Sequence, residues 1–350
     1  MKQLLLILCL LCAPPANSQT PSGARRQPGG SPGGGFLLPN GWTVTPAGEQ
    51  IPAGDLPLAL LLHPDGKQLL VSNNGNGPQS IQVIDAIARQ TISTIEVAKA
   101  WLGLALSEDG KKIYAGGGLS NAILTFALEG GKITPTSPIP IGAADADIFP
   151  GGLCVAGRRL YVANNLANTV TAVDLTTGTV LASVDVGDHP YTCIATHDGK
   201  TVYASIWGAA QVAVLETNPL RVSARISTDD HPNAMALSRD GKRLFVANAN
   251  SNTISAIDLA VGKAVERLSV ALYPNSPAGS TTNALALSPD GTRLYAANAD
   301  NNDVAVIDIA KPGESRVLGF IPVGWYHCPG AERGRQDAFR REREGEPLLP

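Results

Sequence analysis

An Asp-Gly pair recurs along this chain, each time two or three residues before a short strand that ends in Ala or Asn. Asp65-Gly66 precedes Val71-Ser72-Asn73, Asp109-Gly110 precedes Tyr114-Ala115, and Asp198-Gly199 precedes Tyr203-Ala204. Asp240-Gly241 precedes Val246-Ala247-Asn248, and Asp290-Gly291 precedes Ala296-Ala297-Asn298. Ala156-Gly157 before Tyr161-Val162-Ala163-Asn164 is a degenerate copy that fills the one wide gap. Successive copies lie 44, 47, 42, 42 and 50 residues apart (65 to 109, 109 to 156, 156 to 198, 198 to 240, 240 to 290), which is the period of a four-stranded propeller blade.

Each repeat reads as four strands. An apolar segment such as Asn283-Ala284-Leu285-Ala286-Leu287-Ser288 leads into the Asp-Gly, which predicts a tight hairpin, and the Val-Ala-Asn strand follows. A third strand ends in Asp, as in Ile81-Gln82-Val83-Ile84-Asp85 and Ile254-Ser255-Ala256-Ile257-Asp258. An outer strand such as Val180-Leu181-Ala182-Ser183-Val184 completes the unit. No sustained 3.6-residue apolar period interrupts this pattern, and Val, Ile, Thr and Tyr fill the strands, so the chain is all-β.

Six turns give six blades. The stretch from Leu38 through Val44 to Pro52 precedes the first turn and reads as the two outer strands of a seventh blade. Its inner pair should come from the C-terminal side, because ring closure removes open sheet edges. The expectation is one domain, a seven-bladed β-propeller over residues 36–326, with the last blade incomplete because the C-terminal half-blade is lost.

Composition narrows the role. With 27 Lys+Arg against 30 Asp+Glu and no basic run in the repeats, a nucleic-acid partner has no support. Lys2 followed by the apolar run from Leu4 to Leu11 reads as a signal peptide over residues 1–18, too short to span a bilayer. Export to the periplasm or beyond follows, with lipidation at Cys12 as the alternative. Residues 19–35 are Pro, Gly, Ser and Arg and read as a flexible tether. Within the repeats only Cys154 and Cys193 remain, as two small buried hydrophobes or as a disulfide between neighbouring inner strands.

Two repeats place an acid-His-Pro at the same point, Asp188-His189-Pro190 and Asp229-Asp230-His231-Pro232, just before the inner strand. Such loops gather at one rim. They serve either as turns, with Pro fixing φ and Asp capping backbone N–H groups, or as ligands for a divalent metal in the funnel. Tyr191, Trp207 and Trp325, with Trp101 and Tyr273, cluster near blade entries and are candidates for ligand contact. The repeated Asn73, Asn164, Asn248 and Asn298 read as structural, since an identical residue in each blade serves the same turn. Gly75-Asn76-Gly77-Pro78 lacks the third Gly and the helix of a dinucleotide site, and Gly118-Leu119-Ser120 lacks the helix of a nucleophile elbow. With no HExxH or Walker pattern, and no CxxC outside Cys9-Leu10-Leu11-Cys12 of the signal-peptide stretch, no catalytic residue and no cofactor are expected.

The Tyr161-Val162-Ala163-Asn164 and Phe245-Val246-Ala247-Asn248 strands, with Ile/Val-Asp ending the next strand, resemble the YVTN (YncE-type) β-propeller repeat. Longer strings are similar to the N-terminal propeller of bacterial proteins that fuse such a ring to an alkaline-phosphatase-like phosphoesterase: Leu38-Pro39-Asn40-Gly41-Trp42, Ser72-Asn73-Asn74-Gly75 and Ile321-Pro322-Val323-Gly324-Trp325-Tyr326. The resemblance implies that the family's catalytic residues lie in the second domain. The function expected of these residues is therefore that of an exported, monomeric binding module for a protein or small-molecule ligand. The alternatives are the propeller half of a bifunctional phosphoesterase or a metal-dependent propeller lactonase or hydrolase.

The repeat begins on time at Gly319-Phe320-Ile321-Pro322-Val323-Gly324-Trp325-Tyr326 and then stops. Residues 327–350 turn Arg- and Glu-rich and lose every strand signal. Permitted codons for His327 through Glu346, read one base later, spell TALALSADGKTLFVANGKGN. That string is the missing half-blade, with apolar strand, Asp-Gly and Val-Ala-Asn in order, which points to a frameshift. Sequencing the coding DNA checks it: read one base later after Tyr326, the repeat should continue, and any other continuation refutes the frameshift.

Overall fold

The computed structural model describes residues 29–30, 35–38, 41–48, 51–75, 77–98 and 100–324. The signal peptide with Cys12, most of the tether, Trp325, Tyr326 and the 327–350 tail lie outside the described residues. Seven antiparallel sheets follow one another around a ring with no α-helix among the described residues.

A small sheet comes first in sequence: β1 (Gly29–Gly30), β2 (Phe36–Leu37) and β3 (Thr43–Val44). The first blade is β4 (Pro57–Leu62), β5 (Gln68–Asn73), β6 (Ser80–Asp85) and β7 (Gln90–Glu96). The second is β8 (Leu104–Leu106), β9 (Lys112–Gly116) and β10 (Ala122–Glu129), with its outer position shared by β11 (Lys132–Pro135) and β12 (Ile139–Pro140), both paired to β10. The third is β13 (Pro150–Ala156), β14 (Arg159–Asn164), β15 (Thr169–Asp174) and β16 (Thr179–Asp185); the fourth is β17 (Pro190–Ala195), β18 (Thr201–Ile206), β19 (Gln211–Thr217) and β20 (Leu220–Ser227). The fifth is β21 (Pro232–Leu237), β22 (Arg243–Asn248), β23 (Thr253–Asp258) and β24 (Lys263–Ser269); the sixth is β25 (Thr282–Leu287), β26 (Arg293–Asn298), β27 (Asp303–Asp308) and β28 (Arg316–Pro322). The fold is thus a seven-bladed β-propeller, and the blade that comes last along the chain has all four strands.

The repeat signature has a physical cause at each letter. The Asp-Gly does not form a two-residue hairpin: His63 N–H donates to the Gln68 carbonyl, so Asp65 and Gly66 sit inside a four-residue loop. Gly66, Gly110, Gly199, Gly241 and Gly291 all have φ between 66° and 72°, a left-handed conformation that costs Gly nothing. The Asp side chain accepts the N–H two residues on, at 2.7 Å for Asp65 and Lys67 and 3.0 Å for Asp290 and Thr292. Ser107, Thr196, Ser238 and Ser288 donate their hydroxyls to the same carboxylates. A second Asp, at the end of the third strand, closes the next turn the same way: Asp85, Asp174 and Asp258 each accept two backbone N–H groups.

The repeated Asn is buried and works within its blade. Asn164 Nδ2 donates to Thr169 and Thr171, and Asn248 Nδ2 to Thr253 and Ser255. Across the sheet, Asn73, Asn164 and Asn248 face Pro57, Pro150 and Pro232, which offer no donor, and their Oδ1 atoms have no partner in the protein. In the sixth blade Thr282 replaces that Pro, and its hydroxyl donates to Asn298 Oδ1 at 2.7 Å.

The core lies between blades. Leu70, Ile81 and Val83 of the first blade pack with Leu104, Ile113 and Phe126 of the second. Tyr161 and Val170 of the third meet Val202, Ile206 and Leu215 of the fourth; Phe245 and Ile254 of the fifth meet Leu294, Ala296 and Ile307 of the sixth. Each fully buried Leu, Ile or Phe side chain contributes about 1.5–3 kcal/mol. Cys154 and Cys193 are free thiols within this packing, and hydrogen bonding to Cys193 and burial push the Cys154 thiol well up.

In the seventh sheet, β2 and β3 pair as Phe36↔Val44 and Leu37↔Thr43; of the described residues in the stretch from Leu38 to Pro52 read as two outer strands, only Thr43 and Val44 lie in a strand. β1, drawn from the segment expected as a tether, pairs with the other edge of β2 through Gly29↔Leu37 and Gly30↔Phe36. Ala47 N–H donates to the Pro322 carbonyl at 2.9 Å and ties this sheet to the sixth blade.

The Asp-Gly loops give the ring an acid sensitivity. Hydrogen bonds from the Ser288 hydroxyl, then from Thr292 backbone and hydroxyl, hold Asp290 at about 2 against an ordinary 3.8. Ser or Thr hydroxyls lead in lowering Asp109, Asp198 and Asp240 as well. A carboxyl lowered in the folded chain adds stability that is present above its unfolded value and is lost as pH falls through the folded one. Denaturant titrations should show stability falling as pH drops from about 3.8 toward 2, and Asp290→Asn should flatten part of that fall. An unchanged slope in the variant would contradict the assignment.

Candidate functional site

In five blades, at the end opposite the Asp-Gly loop, the chain enters the first strand through one residue in left-handed conformation. These residues are Leu56 (φ 50°), Phe149 (55°), His189 (52°), His231 (56°) and Thr281 (49°). Their carbonyls accept the N–H just past the second strand, from Asn74, Asn165, Trp207, Ala249 and Ala299, at 3.0 to 3.1 Å. A non-Gly residue held this way costs on the order of 1–3 kcal/mol. Because it recurs in five blades, the strain belongs to the fold, and only the identity of the side chain varies.

His189 and His231 fill this slot in adjacent blades, and Trp207 stands between them. The indole lies edge-on to the His231 ring at 3.9 Å between centroids and to His189 at 6.4 Å. Asn165, in the equivalent place one blade earlier, reaches the Pro190 carbonyl of the next blade with its amide. Trp207 makes the same link to the next blade by ring contact while staying 38% exposed.

Each His is held by the acid before it. Asp188 Oδ1 lies 2.5 Å from His189 Nδ1, and Asp230 Oδ2 lies 2.9 Å from His231 Nδ1. The Asn250 amide lies 3.0 Å from the same His231 nitrogen, so Nδ1–H donates to Asp230 or the bare nitrogen accepts from Asn250. A Cβ at Gly208 would meet the Asp188 carboxylate and push it from this position. The candidates read from the sequence therefore converge: Asp188, His189, Trp207, Asp230 and His231 form one cluster across the fourth and fifth blades. Tyr191 sits half-buried on β17, two residues beyond His189. Trp101 packs instead against Phe149 at 5.5 Å, between the second and third blades.

Beside the cluster lies an open cavity of about 610 Å³, lined by Ser251, Asn252, Thr253, Arg267, Tyr273 and Asn275 among others. The segment Asp229-Asp230-His231 joins the two. Asp229 Oδ2 accepts from the Thr253 hydroxyl at 2.6 Å and pairs with Arg267 Nε, while Asp230 N–H donates to Ser251 Oγ at 3.0 Å. Asn252 holds the loop beyond, donating to the Pro277 carbonyl at 2.7 Å and accepting from Gly279 and Ser280 N–H. Of these residues only Tyr273 was signalled by sequence type. The rest come from ordinary polar positions, and the one sequence sign was the long excursion between β24 and β25.

The Ser120 hydroxyl donates to the Gly117 carbonyl at 2.8 Å in a 3-10 turn, with no helix behind it. Among the described residues no three His, Cys, Asp or Glu side chains come together as a metal site would need. Trp207 stands between the two His–Asp pairs.

A family model for YncE-like β-propellers matches residues 36–327. The chain belongs to that family. No curated protein sequence matches it. Among solved structures, this YncE-like ring is similar to hydrazine synthase from Kuenenia stuttgartiensis, with TM-score 0.64 and 18% identity over 80% of this chain and 90% of that one. It is also similar to a putative 6-phosphogluconolactonase from Bacteroides fragilis, with TM-score 0.61 and 20% identity over 75% and 84%. A periplasmic gluconolactonase from Pseudomonas aeruginosa gives TM-score 0.61 and 20% identity over 77% and 86%. These likenesses are of fold.

Because Leu56 occupies the slot of His231 in the first blade, His231→Leu should leave stability within about 0.5 kcal/mol. Denaturant unfolding of the variant checks this, and a loss above about 2 kcal/mol would make the imidazole a structural requirement.

Proposed function

We propose that this propeller is an exported binding module that takes a small hydroxylated acid in the cavity beside the His189–Trp207–His231 cluster. The observation that carries the reading is the Asp229-Asp230-His231 segment, which orders the rim cluster with one residue and the cavity wall with the other two. The exposed polar side chains of Ser269 and Asn275 in the cavity wall suit a polyhydroxylated molecule, and Tyr273 offers a face for its carbon skeleton. Arg267 holds Asp229 through Nε, which leaves its terminal nitrogens as donors to a carboxylate.

Titration of the protein with gluconate, followed by calorimetry and by tryptophan fluorescence, tests this. Saturable binding is expected, weakened about tenfold or more by Arg267→Ala and accompanied by a fluorescence change that Trp207→Phe removes. No heat and no fluorescence change with gluconate would overturn the reading, as would binding indifferent to Arg267→Ala.

Two gluconolactonases among the similar folds favour an enzymatic second reading, lactone or metal-dependent hydrolysis at the same face. That reading needs converging ligands, so calorimetry with Ca²⁺, Mn²⁺ and Zn²⁺ separates it: binding of any of them supports it, and none refutes it. The strings at residues 38–42 and 321–326 support a further context, in which the ring is the propeller half of a phosphoesterase encoded in the corrected frame. Export rests on the Lys2 and Leu4-to-Leu11 pattern alone.

A further inference from the structure

From the second blade to the sixth, the first strands of neighbouring blades meet in the same way. One blade contributes the residue opposite its second-strand aromatic, as Ala105 is opposite Tyr114 and Cys154 opposite Tyr161. The next blade contributes the residue one register place earlier. The pairs so formed share a core cluster: Ala105 with Leu153, Ile194 with Met235, and Ala236 with Leu285. Between the third and fourth blades both places are cysteine, so Cys154 faces Cys193. The two strands approach closely there. A Cβ on Gly152, two residues before Cys154, would lie 2.5 Å from Thr192 Cα, one residue before Cys193. The Cys193 thiol donates to the Tyr161 carbonyl at 3.2 Å, which sets its sulfur against the residue paired with Cys154. Cys193 is 5% exposed and Cys154 is half-buried, so solvent reaches one thiol and that thiol reaches the other.

We propose that Cys154 and Cys193 form a redox site, a dithiol that a small-molecule disulfide converts into a covalent staple between the third and fourth blades. The Cys154 thiolate attacks the small disulfide, forming a mixed disulfide and expelling one thiolate. Cys193 then gives up its proton and attacks the Cys154 sulfur, which expels the second thiolate and closes the bond. Two protons and two electrons pass from the pair to the reagent, which ends as two thiols. The Cys193 hydrogen bond to the Tyr161 carbonyl is given up in the exchange. The staple ties down β17, the strand that His189 leads into, and constrains the unfolded chain between the two cysteines. It uses no residue of the cavity and does not depend on the binding reading.

The test uses the full chain, reduced and then incubated with oxidised glutathione, followed by non-reducing peptide mapping with mass spectrometry. Mildly alkaline buffer suits it, because the hydrogen bond with Cys193 and burial raise the Cys154 thiol. A Cys154–Cys193 cross-link is expected, with Tm raised by roughly 5 °C over the reduced protein and restored by dithiothreitol. Cys193→Ala should stop at a glutathione adduct on Cys154. Cys154→Ala should leave Cys193 unmodified and Tm insensitive to the oxidant. Alanine stands at this register in the second and fifth blades, so the second variant keeps the test intact if the first folds poorly. Two thiols that stay reduced, a glutathione adduct on Cys154 that persists beside an intact Cys193, or a cross-link to another cysteine in place of this one would overturn the inference. So would a Cys154–Cys193 bond that leaves Tm unchanged, since it would not be holding the two blades together.

Discussion

A single four-stranded blade cannot bury either of its faces, and everything in this molecule follows from that. The largest buried side chains, Tyr161, Phe245, Leu70 and Ile113 among them, lie in clusters shared by two adjacent blades. Stability is therefore a chain of neighbour interfaces, each supplying apolar area that its own blade lacks. A ring satisfies every blade at once. Where packing is thin, on the faces of the first and sixth blades, the deficit shows up as exposed leucine in β4 and half-buried tyrosine in β26.

Much of this was legible in the amino-acid sequence because the repeat letters are set by local chemistry. The Asp of each Asp-Gly closes its own loop through the N–H two residues on, the Gly takes the left-handed φ, and the Asp ending the third strand closes the following turn. The loop is longer than a two-residue hairpin, since the pairing that defines it lies with His63 and Gln68 and has no side-chain signature. The structural reading of the Asn residues also rests on short-range bonds, to Thr169 and Thr171 or to Thr253 and Ser255.

The site was legible only in part. His189 and His231 stood out because they repeat, and Trp207 because of its type; their meeting depends on the angle between two blades. The cavity left almost no trace. Arg267 on β24 ends up beside Asp229, 38 residues away at the entry to β21, and Asn252 beside Pro277 in the segment between β24 and β25, contacts made only once the fifth blade is assembled. The pairing of Gly29 and Gly30 was hidden for another reason: two glycines in a Pro- and Gly-rich segment carry no strand propensity, and what recruits them is an unpaired edge of β2.

The left-handed entry residue of each blade separates two things that proteins usually couple. Its backbone conformation is common to Leu56, Phe149, His189, His231 and Thr281, so the ring imposes it whether the side chain is aliphatic, aromatic, imidazole or hydroxyl. The rim is thus a set of interchangeable sockets. Ligand preference can be rewritten one blade at a time, by single substitutions that leave the hydrogen bonds and the inter-blade core untouched.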